Sequence, residues 1–163
     1  MLAIRVPDVK NFMNNLLAGN LFDPFLVIDG LLVTAITYTF DGQLNPAFYE
    51  DSEAPEYEYQ PWSETKKSVF ELIRGSHTPL HIRFSLMLKP EKAAEMLEKA
   101  APGTDFSYLK ALILGIKFEN GAITLTTGTS CSTFVMSHDA DLIWDKSIQK
   151  YLSAKGIEFE LLT

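Results

Sequence analysis

Between positions 79 and 89 the chain reads PLHIRFSLMLK, with Leu80, Ile82, Phe84, Leu86 and Leu88 alternating with His81, Arg83, Ser85, Met87 and Lys89. A period of two marks a β-strand with one buried and one wet face, and Phe and Ile suit a pleated surface. Pro79 opens the segment where no ladder N–H is needed, and Pro90 closes it by starting a helix. This strand is the expected centre of the sheet.

Elsewhere the apolar residues follow a helical period. After a short strand at 2–6 and Pro7, Val9, Phe12, Met13, Leu16 and Leu17 fall on one stripe. Asp8 is placed as its N-cap and Gly19 as its left-handed stop. Residues 25–40 read as two strands divided by a hairpin turn at Asp29-Gly30. From 43 to 61 the periodicity dissolves into a loop. It carries an acidic run of Glu50, Asp51, Glu53, Glu56 and Glu58 among Phe48, Tyr49, Tyr57 and Tyr59, aromatics that point to a loop packed on something.

A helix over 62–74 turns Trp62, Val69, Phe70 and Ile73 inward and stops at Gly75. A second, over 91–101, shows a small-residue face of Ala93, Ala94, Leu97, Ala100 and Ala101. Strands at 108–119 and 122–127 form a hairpin across Asn120-Gly121, a strong type I′ pair. A separate strand at 131–136 is expected after Gly128. Ser137 caps a last helix through Ala154, striped by Trp144, Ile148, Tyr151 and Leu152, and Gly156 releases a final strand at 157–162.

Strand, proline, helix and hairpin thus occur twice, over 1–42 and 79–129. The fold class is α+β: a largely antiparallel sheet with helices mainly on one face, in a single domain spanning 1–163. At 163 residues, 47% hydrophobic and 21% charged, the chain can bury a core without disulfides or metals. Its one cysteine, Cys131, excludes an internal disulfide framework and fits a reducing cytoplasm. No secretion signal and no membrane-spanning apolar run is read, so no membrane association is expected. A net charge of −7 disfavours a generic nucleic-acid binder, which needs cationic surface.

Against that charge, Lys66, Lys67, Arg74, His77, His81, Arg83 and Lys89 crowd the middle of the chain. The candidate binding residues are Lys66, Lys67, Arg74, His81 and Arg83, suited to an anion or a phosphate backbone. The plainer reading has them solvate a sheet face or pair with the acidic run at 50–58. His77 and His81 cannot share a helical face across Pro79, so no metal and no cofactor is expected. Cys131 has no base tied to it by any motif and reads as a buried strand residue. The hydroxyl-rich run at 124–133 reads as the wet side of strands. His138-Asp139 is explained as a helix start. No carboxylate pair is spaced for acid/base work, so catalysis is disfavoured.

Asp8-Val9-Lys10 with Phe12-Met13, Phe40-Asp41-Gly42 with Leu44-Asn45, and Thr78-Pro79-Leu80 carry a resemblance. By these the chain resembles an uncharacterised bacterial family, a domain-of-unknown-function group of about this length. Those motifs are turns and core positions and imply no catalytic residue. At fold level the doubled element order is similar to one domain of a DNA sliding clamp, by analogy. Clamp helices present cations to DNA, whereas the outer face of the 91–101 helix here carries three glutamates, Glu91, Glu95 and Glu98, against two lysines, Lys92 and Lys99. Three functions follow in order: a non-catalytic cytoplasmic binding or assembly protein, with a protein partner or homo-oligomer; a clamp-like nucleic-acid accessory; and a small-ligand or thiol enzyme around Cys131.

Overall fold

Residues 1–75 and 77–162 are described by the computed structural model. Strands β1 (Ala3–Val6), β2 (Phe25–Val33), β3 (Thr37–Asp41), β4 (His81–Leu88), β5 (Leu109–Glu119), β6 (Ala122–Cys131) and β7 (Glu160–Leu161) form one sheet. Its order is β3-β2-β4-β5-β6-β1-β7, and every neighbouring pair is antiparallel. Helices α1 (Val9–Leu17), α2 (Trp62–Ile73), α3 (Pro90–Ala100) and α4 (Asp139–Ala154) complete the chain.

The alternation in the sequence decides which face the helices cover. Ile82, Phe84 and Leu86 of β4 are buried in register with Phe118, Ile116 and Leu114 of β5. Phe12 and Leu16 of α1, Trp62 and Val69 of α2, and Trp144, Ile148 and Leu152 of α4 close the core above them. The fold is therefore α+β, with the helices mainly on one face; the other is wet around His81, Arg83 and Ser85, as antiparallel sheets permit, but buries Met87 and Leu26, which lie in register at its far end. β4 is an interior strand, one place from the middle, which β5 occupies. Both strand–helix–hairpin units enter this sheet, but β1 pairs with β6 rather than with β2 of its own unit.

Local signals survive where nothing outweighs them. Asp8 caps α1 by accepting the Asn11 N–H at 3.1 Å. Asn120 and Gly121 turn the β5–β6 hairpin at φ 53° and 75°.

Other expectations are overturned. β2 runs straight through Asp29-Gly30, because Gly30 faces Phe84 and a Cβ there would lie 2.3 Å from the ring. The chain turns instead where Thr34 N–H donates to Ile36 O at 2.8 Å. Gly19 is not left-handed: its N–H joins that of Ala18 on Asn14 O, at 3.0 and 2.9 Å. Phe70 is 43% exposed, because buried Thr65 takes a place on the inward stripe of α2.

β6 continues through Gly128 to Cys131, so no separate strand follows, and Phe134 stands 92% exposed. Cys131 is exposed rather than buried, since it lies beyond Thr127, the last buried position of β6. The hydroxyl run is split as well. Thr127 and Thr129 turn inward and hydrogen-bond Asp145 and Asp141 of α4, at 2.5 and 2.7 Å.

Candidate functional site

The sheet divides the basic residues of the central region. Lys66, Lys67 and Arg74 belong to α2 and its C-terminal cap, on the covered side. Lys66 Nζ donates to Asp23 Oδ1 at 2.7 Å and to Gly19 O at 2.8 Å, a contact that ties α2 to the segment after α1. Arg74 pairs with Glu71 at 3.2 Å, and Lys67 is exposed. His81 and Arg83 lie on β4 at positions that alternate with the buried residues, so they stand on the uncovered face.

Register then supplies neighbours that the linear sequence does not show. Arg83 faces Leu31 on one side and Lys117 on the other, Lys117 faces Thr124, Thr124 faces Arg5, and Arg5 faces Glu160. Three cations thus share one transverse row, roughly 14 Å from β4 to β1 at the usual strand spacing. Arg5 Nε lies 3.4 Å from Glu160 Oε2. Arg83 and Lys117 are exposed, and among the described residues neither has a carboxylate within 4.0 Å.

The adjoining rows shape the surface. Ser85, Gly115, Thr126 and Ala3 are in register beside the cations and make a low floor. A Cβ on Gly115 would meet Thr126 Oγ1 at 2.7 Å, so the floor is closed by that hydroxyl. On the other side His81 Nδ1 sits 3.1 Å from Glu119 Oε2. Tyr38 and Phe40 of β3 turn to the core side, where Phe40 packs on Phe84 at 5.6 Å.

The acidic loop is packed through one of its aromatics, but among the described residues its carboxylates do not pair with the basic cluster. Tyr57 donates its hydroxyl to Glu91 at the start of α3, and the Lys89 ammonium lies 5.5 Å from the Tyr57 ring centre. The loop is moored there, and none of its carboxylates lies within 4.0 Å of the basic cluster among the described residues.

The Glu91 hydrogen bond first, with desolvation and the charge of Glu56, pushes the Tyr57 phenol up to about 12. The same bond, then a backbone hydrogen bond, holds the Glu91 carboxyl below the usual carboxylate value. The Tyr57 contribution to stability is full below its ordinary pKa of 10.0 and is lost as pH rises through about 12. The Glu91 contribution is present above the ordinary carboxylate range and is lost as pH falls through its lowered value. Ultraviolet titration is expected to show a phenol ionising near 12. That phase should vanish in Tyr57→Phe; its persistence would break the assignment.

No group of three or more His, Cys, Asp or Glu able to hold a metal occurs among the described residues. Lys117 and Arg5 were absent from the sequence-based candidates. Their signal is only that each alternates with core residues, Ile116 and Phe118 or Ile4 and Val6. Their alignment with Arg83 depends on strand pairings between distant segments.

Among the described residues, four α-helices mainly on one face of a seven-stranded antiparallel sheet, with a charged row across the other, define an α+β protein. The chain belongs to the Family of unknown function (DUF5721), whose profile matches residues 15–160. No curated protein and no solved structure matches it significantly. Among the described residues no helix is long and apolar enough to cross a membrane.

Proposed function

We propose that this is a non-catalytic binding protein that presents its uncovered sheet face to an acidic segment of a partner protein. The observation that carries the reading is the direct cross-strand opposition of Arg83 and Lys117. Like charges placed opposite each other cost about 0.2–1 kcal/mol in a sheet. A local violation of the pairing rules is expected where function requires it, and an incoming carboxylate relieves this one. Arg5 extends the row, and the Ser85–Gly115–Thr126 floor leaves the cations accessible. The exposed, free Cys131 supports a cytoplasmic setting, where thiols stay reduced.

A clamp-like nucleic-acid role would use the same row. The net charge of −7 weighs against it, as does the lack of a Phe, Tyr or Trp among the strand residues of this face for bases to stack on.

Fluorescence anisotropy with a labelled oligoglutamate peptide tests the reading. Binding is expected at low salt, to weaken as salt rises, to be lost in Arg83→Glu and to persist in Lys67→Glu on the other side of the sheet. Absence of binding at low salt, or equal loss in both variants, would overturn it. Tighter binding of duplex DNA than of the peptide would transfer the row to the nucleic-acid reading.

A further inference from the structure

Helix α3 rests on the sheet through small side chains, and only Leu97 of its residues is fully buried. Between it and α4 lies a groove of about 430 Å³, within the range of roughly 300–1,000 Å³ typical of small-molecule sites. Phe25, Leu88, Met96 and Trp144 give it hydrocarbon walls. The polar side chains along it other than its lysines are already engaged. Trp144 Nε1 donates to Ile113 O at 2.8 Å, Ser147 Oγ donates to Ile143 O at 2.7 Å, and the Tyr151 hydroxyl donates to Leu21 O.

Its charged lining residues are both cationic. Lys99 of α3 and Lys150 of α4 border the groove, no carboxylate lines it, and neither lysine has one within 4.0 Å among the described residues. Apolar walls whose other polar side chains are engaged, bordered by two lysines, complement a molecule with a hydrocarbon body and an anionic end.

We infer that the groove between α3 and α4 binds a free, single-chain aliphatic carboxylate, with its tail along Trp144 and its head between Lys99 and Lys150. This site lies on the helical side of the sheet and is independent of the Arg83 row. Both lysines are exposed, so exchanging them leaves the core untouched.

Isothermal titration with dodecanoate, below the concentration at which it self-associates, tests the site. One molecule is expected to bind saturably per chain. Lys99→Glu with Lys150→Glu is expected to weaken it roughly tenfold or more, the scale of lost charge-assisted hydrogen bonds. Dodecan-1-ol, with the same tail and no charge, is expected to bind more weakly by a similar factor. No saturable binding, an unchanged affinity in the double variant, or equal affinity for the alcohol would each overturn the inference.

Discussion

Phe84→Ala is expected to lower the unfolding free energy by about 3–5 kcal/mol, the cost of deleting a buried aromatic ring. Phe84 is fully buried; its ring centre lies 5.0 Å from that of Trp62 and 5.6 Å from that of Phe40, and its edge covers Gly30. It therefore joins β4 to α2, β3 and β2 at one point. Domains of this kind are stable by only about 5–15 kcal/mol, so the variant should unfold at much lower denaturant.

The packing also predicts a coupling. Gly30→Ala in the native background drives a Cβ to 2.3 Å from Phe84 Cε1. In Phe84→Ala that obstacle is gone, and the second substitution should cost less than it does alone. Guanidinium denaturation of the two single variants and the double variant measures both terms. A loss below about 1 kcal/mol for Phe84→Ala would mean that the ring does not hold the core as described.

Gly42→Ala is expected to be destabilising on a similar scale, about 3 kcal/mol or more, through overpacking against groups that cannot move aside. A Cβ at position 42 would lie 1.8 Å from Val27 O and 2.6 Å from Val27 C, and both are backbone atoms. The approach is fixed by a chain of backbone bonds. Gly42 N–H donates to Ile28 O at 2.9 Å, Gln60 N–H donates to Gly42 O at 2.9 Å, and Val27 N–H donates to Gln60 O at 2.8 Å. These bonds lock residues 59–61 against the first half of β2, the half that β3 does not reach. Gly128→Ala is the matched control, since nothing lies within 4 Å of a Cβ there and its φ is not positive. Its effect should stay within about 0.5 kcal/mol.

Much of the fold was legible because its signals are local. The alternation across 79–89 identified β4 and its inward face, the Asn120-Gly121 pair placed a turn, and Asp8 marked a helix start. The misreadings share a cause. Asp29-Gly30 has the composition of a hairpin, but that glycine is required by the Phe84 ring on the neighbouring strand, 54 positions away in sequence. The inward and outward sides of β6 looked alike because threonine serves both; Thr127 continues the buried phase of Ile123 and Leu125, and Asp145 and Asp141 on α4 take the hydroxyls of Thr127 and Thr129.

The site was half visible for the same reason. Arg83 could be placed on a polar face from its own strand. That Lys66 is held by Asp23, and that Lys117 and Arg5 line up with Arg83, follows from contacts between segments far apart in the chain.

The opposition of Arg83 and Lys117 is the feature on which the functional reading rests, and Lys117→Glu converts it into an attractive pair. Denaturant unfolding of this variant beside the native protein is the most direct test. We expect the variant to be more stable by about 0.2–1 kcal/mol at low salt, with the gain fading as salt rises and with oligoglutamate binding lost. A variant that is no more stable than the native protein at low salt, or that binds the acidic peptide undiminished, would contradict the assignment of this face as the binding surface.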